Sequence, residues 1–347
     1  MMKHQKIVAG TIASIIALSI FSAVNEQPKS FNAGEPTGNA MVSSILAGEA
    51  QGKFHRMSAA VLSHGTVRFG GLGATPTDSF EIASITKVFT GELLRIQIER
   101  GDITESTTVG DVLGQRVSGF PIETVTMREL ANHTSGLPRL GNVGIRPRLM
   151  PFFDKNPYAN ISVDHVIEAS SKAQLSSRGE FEYSNLGYSL LGHVLAHNAH
   201  LSYAELLDRD LLQPLKLTDT TLMTPGSLSE EATPGYAPSG KIVEPWEMDG
   251  FLPAAGLRST AHDMSIFSQY LLDKGLPAFT WQDNVEDPTI KWHNGESFGF
   301  SSMILISPTS DSAVFVVADV SESVMPIAEE LLAAAQDIPR EEDAHYG

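Results

Sequence analysis

The order of extended and helical segments constrains the fold of this chain most. Met57-Ser-Ala-Ala-Val-Leu62 and Thr66-Val-Arg-Phe-Gly70 flank Ser63-His64-Gly65, which is the signal of a β-hairpin. Far along the chain, Ser302-Met-Ile-Leu-Ile-Ser307 and Ala313-Val-Phe-Val-Val-Ala318 flank a Pro308-Thr-Ser-Asp311 turn. Their unbroken apolar runs read as two buried strands. A helix over about 324–336 follows. Between the two strand regions, from about 84 to 250, the periodicity is helical, as in 163–171, 188–196 and 203–212, broken by Pro/Gly-rich loops. Strands at both ends with helices between predict an α/β (α+β) body whose sheet is built from both ends, with an all-α lobe inserted. The expected layout is an α/β lobe over about 40–82 and 255–338 and a helical lobe over about 83–254. Residues 25–39 read as a polar linker, and 339–347 as a solvated acidic tail.

Composition removes several function classes. The chain has 347 residues, a formal net charge of −17 and no basic block, so a nucleic-acid partner is not expected. With no cysteine there can be no disulfide, thiolate metal site or cysteine nucleophile. At the start, Lys3 and Lys6 precede an uncharged run from Ile7 to Val24. That pattern predicts a signal peptide or an N-terminal membrane anchor over 1–24. The body is then expected outside the cytoplasm, secreted or held to the membrane only through that segment.

The chemistry centres on Ser84-Ile-Thr-Lys87. The i, i+3 spacing puts a hydroxyl and an amine on one helix face, and a neutral amine can take the serine proton. The apolar positions 88, 89, 93, 96 and 98 continue a helix that stops at Gly101, so Ser84 stands at its N-terminus, where N–H groups favour an oxyanion. By itself the pair reads more readily as a capping serine and a solvated lysine, so partners must be found elsewhere. Tyr183-Ser-Asn185 offers a phenol and a carboxamide just before a helical run. A phenol beside an ammonium can have its pKa lowered and move protons, and the carboxamide can hold Lys87 or a substrate amide. Tyr158-Ala-Asn160 is a weaker rival in a Pro-rich loop. His293-Asn-Gly295 precedes the Ser302 strand, where a glycine lets a substrate backbone approach, and the N–H of Glu296 is a candidate second oxyanion donor beside that of Ser84. No cofactor or metal is expected: the 11 histidines are scattered, and the His193–His197 pair lacks an accompanying Glu.

Taken in order, Ser-x-x-Lys, Tyr-x-Asn and His-x-Gly resemble the β-lactamase-related, penicillin-recognising serine hydrolases, in the class C-like branch that includes D-Ala-D-Ala carboxypeptidases, D-aminopeptidases and esterases. Glu81–Lys87, Leu130–Pro138, Phe181–Gly192 and Pro253–Met264 are similar to signature stretches of that branch, and the resemblance runs over about 40–335. It implies an antiparallel sheet flanked by helices plus an all-α lobe, with the site in the cleft between them. It also implies that Ser84 is the nucleophile, Lys87 its base partner and Tyr183 a proton-transfer group. Asn185, His293, Gly295 and Glu296 would contact substrate or oxyanion, and His133 would shape a loop. The departure from the family is His293-Asn-Gly-Glu296 in place of Lys-Thr-Gly and a small residue. A fixed cation and a hydroxyl are lost and a carboxylate is added, which disfavours anionic β-lactams. The expectation is an exported acyl-enzyme hydrolase of an ester, amide or D-amino-acid peptide bond, acting on a small molecule or cell-wall peptide. A β-lactamase proper and a non-catalytic cell-wall-peptide or partner-binding relative are the alternatives.

Overall fold

The computed structural model describes residues 30–144, 155–229 and 231–338. The segment over 1–24 and the tail over 339–347 lie outside the described residues. Among the described residues, no helix is long and apolar enough to cross a membrane.

Among the described residues, ten strands form two sheets. The larger uses β1 (Pro36–Gly38), β2 (Met57–Ser63), β3 (Thr66–Leu72), β7 (Gln282–Asp283), β8 (Lys291–Glu296), β9 (Ser301–Ser307) and β10 (Ser312–Ala318). Its order is β1-β3-β2-β10-β9-β8-β7, and every neighbouring pair is antiparallel. Strands from the two ends of the chain meet at β2 and β10, in register from Met57↔Ala318 to Ser63↔Ser312. The smaller sheet joins β4 (Phe80–Glu81), β6 (Leu257–Ser259) and β5 (Thr221–Leu222), in the order β4-β6-β5.

The continuous apolar runs have a simple cause: both faces of the large sheet are covered. Along β10, Ala313, Phe315 and Val317 enter one core while Val314, Val316 and Ala318 enter another. The back core is closed by helices α1 (Ala40–Ala50) and α7 (Met325–Gln336), through Val42, Leu46, Ile327 and Leu331. The front core is shared with α6 (Ala261–Lys274) and with the helices of the central region, of which α2 (Thr86–Arg100), α3 (Met127–Ala131), α4 (Val163–Ser171) and α5 (Asn185–Asn198) bear on the site.

Pro36–Gly38, inside the stretch expected as a linker, is instead an edge strand paired with Gly70–Leu72. An edge is where a strand tolerates proline, and three residues carry too little pattern to read. Helix α5 starts at Asn185, earlier than the periodicity suggests, because the Ser184 hydroxyl accepts the N–H of Gly187 and caps it. Its Gly192 allows a close approach: a Cβ there would lie 2.3 Å from Cβ of Pro253.

The nucleophile helix is anchored by Phe89, fully buried and stacked 4.0 Å from Phe267 of α6. Phe89→Ala should lower unfolding free energy by about 3–5 kcal/mol. Chemical denaturation checks this; a change below about 1 kcal/mol would show that the contact is not what ties α2 to the sheet lobe.

Candidate active site

Ser84 lies in a tight 3-10 turn, Ala83–Ile85, that leads into α2. Ala83 adopts φ +44°, a left-handed conformation that costs a non-glycine residue energy and is held only when the surroundings fix it. Several contacts fix it. The N–H of Ile82 donates to the Leu257 carbonyl, the Ser302 hydroxyl donates to the Ile82 carbonyl at 3.0 Å, and the Thr86 hydroxyl accepts the N–H of Leu257. Strand β8 presses against the same turn: a Cβ on Gly295 would lie 2.0 Å from the Ile82 carbonyl oxygen, so only glycine fits.

Lys87 projects from the first turn of α2 into the front core, with no exposed surface. Its Nζ is 3.1 Å from Ser84 Oγ and donates to the Ala254 carbonyl at 2.8 Å. The rings of Tyr183 and Tyr188 lie 4.9 and 5.8 Å away. No carboxylate pairs with it among the described residues. Burial, reinforced by the charge of Arg139, holds its pKa well below the usual lysine value. The two tyrosine faces would favour an ammonium, but a ring face offers about 1–2 kcal/mol against a far larger desolvation cost. The amine is thereby shifted toward its neutral form, within hydrogen-bond reach of Ser84 Oγ.

Tyr183 completes the centre. Its hydroxyl donates to Ser84 Oγ at 2.8 Å. Loss of water around the phenol, only partly offset by Ser84 and Arg139, pushes its pKa up to about 12. This reverses the sequence expectation of a lowered phenol pKa, because burial of the phenol outweighs the groups that would lower it. Tyr183 stays a proton donor. Asn185 is buried; its Nδ2 donates to the Tyr158 hydroxyl at 3.2 Å, while its Oδ1 is buried without a partner among the described residues. Tyr158, the rival read from sequence, thus stands behind Asn185 and not against the serine.

His293 is buried, and its Nδ1–H donates to the Asn294 carbonyl at 2.8 Å. Burial, then the Lys87 side chain, pushes its pKa down to about 3, so it supplies no cation at the third motif. Glu296 ends β8. Ser297 donates its N–H to the Phe300 carbonyl, so hydrogen-bonded pairs with β9 fall at 297 and 295, and the N–H of Glu296 points to the opposite edge. Strand β7 pairs only with Lys291 and Trp292, which leaves that edge open beside the Ser84 turn. The Glu296 carboxyl is pushed up to about 7 by loss of water, eased by Arg139 and aggravated by Glu322.

One loop sets the register of the second motif. His133 Nδ1 accepts the N–H of Ser184, the Pro138 carbonyl accepts the Ser184 hydroxyl, and the Arg139 carbonyl accepts the N–H groups of Asn185 and Leu186. His133, buried against the Tyr183 and Tyr188 rings, is held neutral by burial and by the nearby Lys87, His293 and Arg139. Arg139 is the functional candidate that sequence reading missed. Its guanidinium is exposed and sits 5.3 Å from the centre of the Tyr183 ring. It directly follows the Leu130–Pro138 signature stretch, and that position was the only available signal. Among the described residues, Asp219, His262 and Asp263 could together hold a metal ion. Asp263 already accepts from the Asp219 N–H and the Thr220 hydroxyl, and none of the three takes part in the Ser84 centre.

The sequence profile of the Beta-lactamase family matches residues 41–336. The chain belongs to that family. Protein flp of Staphylococcus aureus (strain NCTC 8325 / PS 47) is 25% identical over 285 residues, which is 73% of this chain and 55% of that protein. A Beta-lactamase of Providencia stuartii is 26% identical over 211 residues, 60% of this chain and 50% of that one. The chain thus spans about half the length of these curated relatives. A class C β-lactamase from Rhodobacter sphaeroides superposes with a TM-score of 0.70 at 20% identity, covering 86% of this chain and 98% of that one. A D-stereospecific amidohydrolase from Streptomyces sp. gives 0.66 at 19% identity, covering 82% and 94%. These likenesses establish the fold as the one expected: an antiparallel sheet flanked by helices, with the helical region inserted.

The raised Glu296 pKa makes stability depend on pH. A carboxyl whose folded pKa lies above its unfolded value favours the native state fully below about pH 4.5 and loses that contribution as pH rises through about 7. Glu296→Gln should therefore melt with wild type at pH 4 and above it at pH 9. Identical melting shifts at both pH values would show that the carboxyl is not desolvated.

Proposed function

We propose that the chain is an exported serine hydrolase that cleaves an ester, amide or D-amino-acid peptide bond through an acyl-enzyme on Ser84. The observation that carries this reading is the unpaired, buried Lys87 amine 3.1 Å from Ser84 Oγ, with the Tyr183 hydroxyl 2.8 Å from the same oxygen. A serine hydroxyl is a weak nucleophile until a base removes its proton. The lowered Lys87 pKa favours the neutral amine that such a base must be.

Ser84 Oγ attacks the substrate carbonyl carbon as its proton passes to Lys87. The oxyanion accepts the N–H groups of Ser84 and Glu296, fixed dipoles that need no reorganisation as charge develops. The substrate amide N–H donates to Asn185 Oδ1. Tyr183 hands its proton to the leaving atom and regains one from Lys87. A water molecule then attacks the acyl carbonyl; its proton goes to the same base pair, and Ser84 leaves as a hydroxyl. The basic and apolar segment over 1–24 supports placing this chemistry outside the cytoplasm. The neutral His293 and the added Glu296 carboxyl support esters and peptides over β-lactams, whose carboxylate meets a cation at the third motif in the lactamases this branch resembles.

Ser84→Ala should abolish fluorophosphonate labelling and lower kcat/KM for a p-nitrophenyl ester by at least about a thousandfold. Labelling that survives the substitution would sink the assignment. No turnover of esters, D-Ala peptides or nitrocefin by wild type would favour the non-catalytic binding reading.

A further inference from the structure

Arg139 holds a cation beside Tyr183 with no carboxylate paired to it among the described residues. It forms no salt bridge with any described residue, although the chain has a formal net charge of −17 and ample carboxylates. Its backbone is not free to drift, since its carbonyl accepts two N–H groups at the start of α5, at 2.9 and 3.1 Å. The guanidinium lies over the Tyr183 ring, whose hydroxyl is one hydrogen bond from Ser84.

The position matters for chemistry. Tyr183 serves the leaving atom, so a group on its ring borders the leaving half of a bound substrate. At the third motif, the neutral His293 leaves the cleft without a cation, and Glu296 adds a carboxyl on the β8 wall. An anion entering the cleft would avoid the β8 wall and meet Arg139. The charge of Arg139 also contributes at Lys87, His133, Tyr183 and Glu296.

We propose that Arg139 is a specificity-determining residue that binds a carboxylate on the leaving half of the substrate, as in a peptide with a free C-terminus. The pairing is a two-pronged guanidinium–carboxylate contact, a geometry that an ammonium cannot reproduce. The proposal rests on the acyl-enzyme reading above and narrows it to substrates with an anionic leaving half.

The test uses two matched aryl esters whose phenol leaving groups carry a meta-carboxylate or a meta-carboxamide. In wild type the carboxylate ester should have kcat/KM higher by about tenfold or more, since a hydrogen bond to a charged group is worth about 1.5–3 kcal/mol. In Arg139→Gln the ratio of the two esters should fall to about one, and in Arg139→Lys it should fall part-way. The ratio is insensitive to a general loss of folded enzyme, so misfolding cannot imitate the effect. A wild-type ratio near one, or a ratio unchanged in Arg139→Gln, overturns the proposal. Ser84-dependent turnover of the carboxamide ester tells these outcomes apart from failure of the hydrolase reading. In Ser84→Ala, calorimetric titration with the same two esters asks the question without turnover: tighter binding of the carboxylate, lost on adding Arg139→Gln, supports the assignment, and equal affinities overturn it.

Discussion

A lysine amine removed from water with no carboxylate to receive it is the constraint on which the site depends. An ammonium in that position would carry a desolvation cost of several kcal/mol that no neighbouring charge repays. Burial, reinforced by Arg139, holds the Lys87 pKa well below the ordinary lysine value and so favours the neutral amine. Much of the surrounding structure follows from this. Ala254 offers a carbonyl, which a neutral amine can still satisfy, and the tyrosines offer rings and hydroxyls in place of acids. Burial keeps Tyr183 a phenol, and His133 and His293 remain neutral because they share the same dry region.

Holding a neutral amine against a serine needs a rigid frame, and the fold supplies it from three directions. The strained turn at Ala83 is pinned by Leu257 and Ser302, the α5 start is clamped by the His133–Arg139 loop, and β8 closes on Ile82 through Gly295. Two of these clamps come from the sheet lobe and one from the helical region. The front core, shared by both, fixes their relative placement.

The parts that were legible in the sequence are those with a local pattern. The β2–β3 hairpin, β9, β10 and α7 declare themselves through apolar runs and turn residues, and Ser84, Lys87, Tyr183 and Asn185 through motif spacing. Those four residues do converge, with His293, Gly295 and Glu296 on the adjoining strand. What could not be read depends on distant packing. The three residues of β1 have no periodicity, and the direction of the Tyr183 shift is set by burial, which only the tertiary packing decides. Arg139 is one exposed arginine in the sequence; only the loop that carries it over Tyr183 gives it meaning. Tyr158 looked like a competitor for Tyr183, and in space it supports Asn185.

The central claim is that Lys87 is neutral in the folded protein. Its most direct test is an NMR titration of the Lys87 side-chain carbon next to Nζ, assigned by comparison with Lys87→Arg. A chemical shift of the neutral amine at pH 7, with protonation appearing only well below pH 10.5, is the predicted result. A titration midpoint near the ordinary lysine value would contradict the account, since Ser84 would then face an ammonium and have no base.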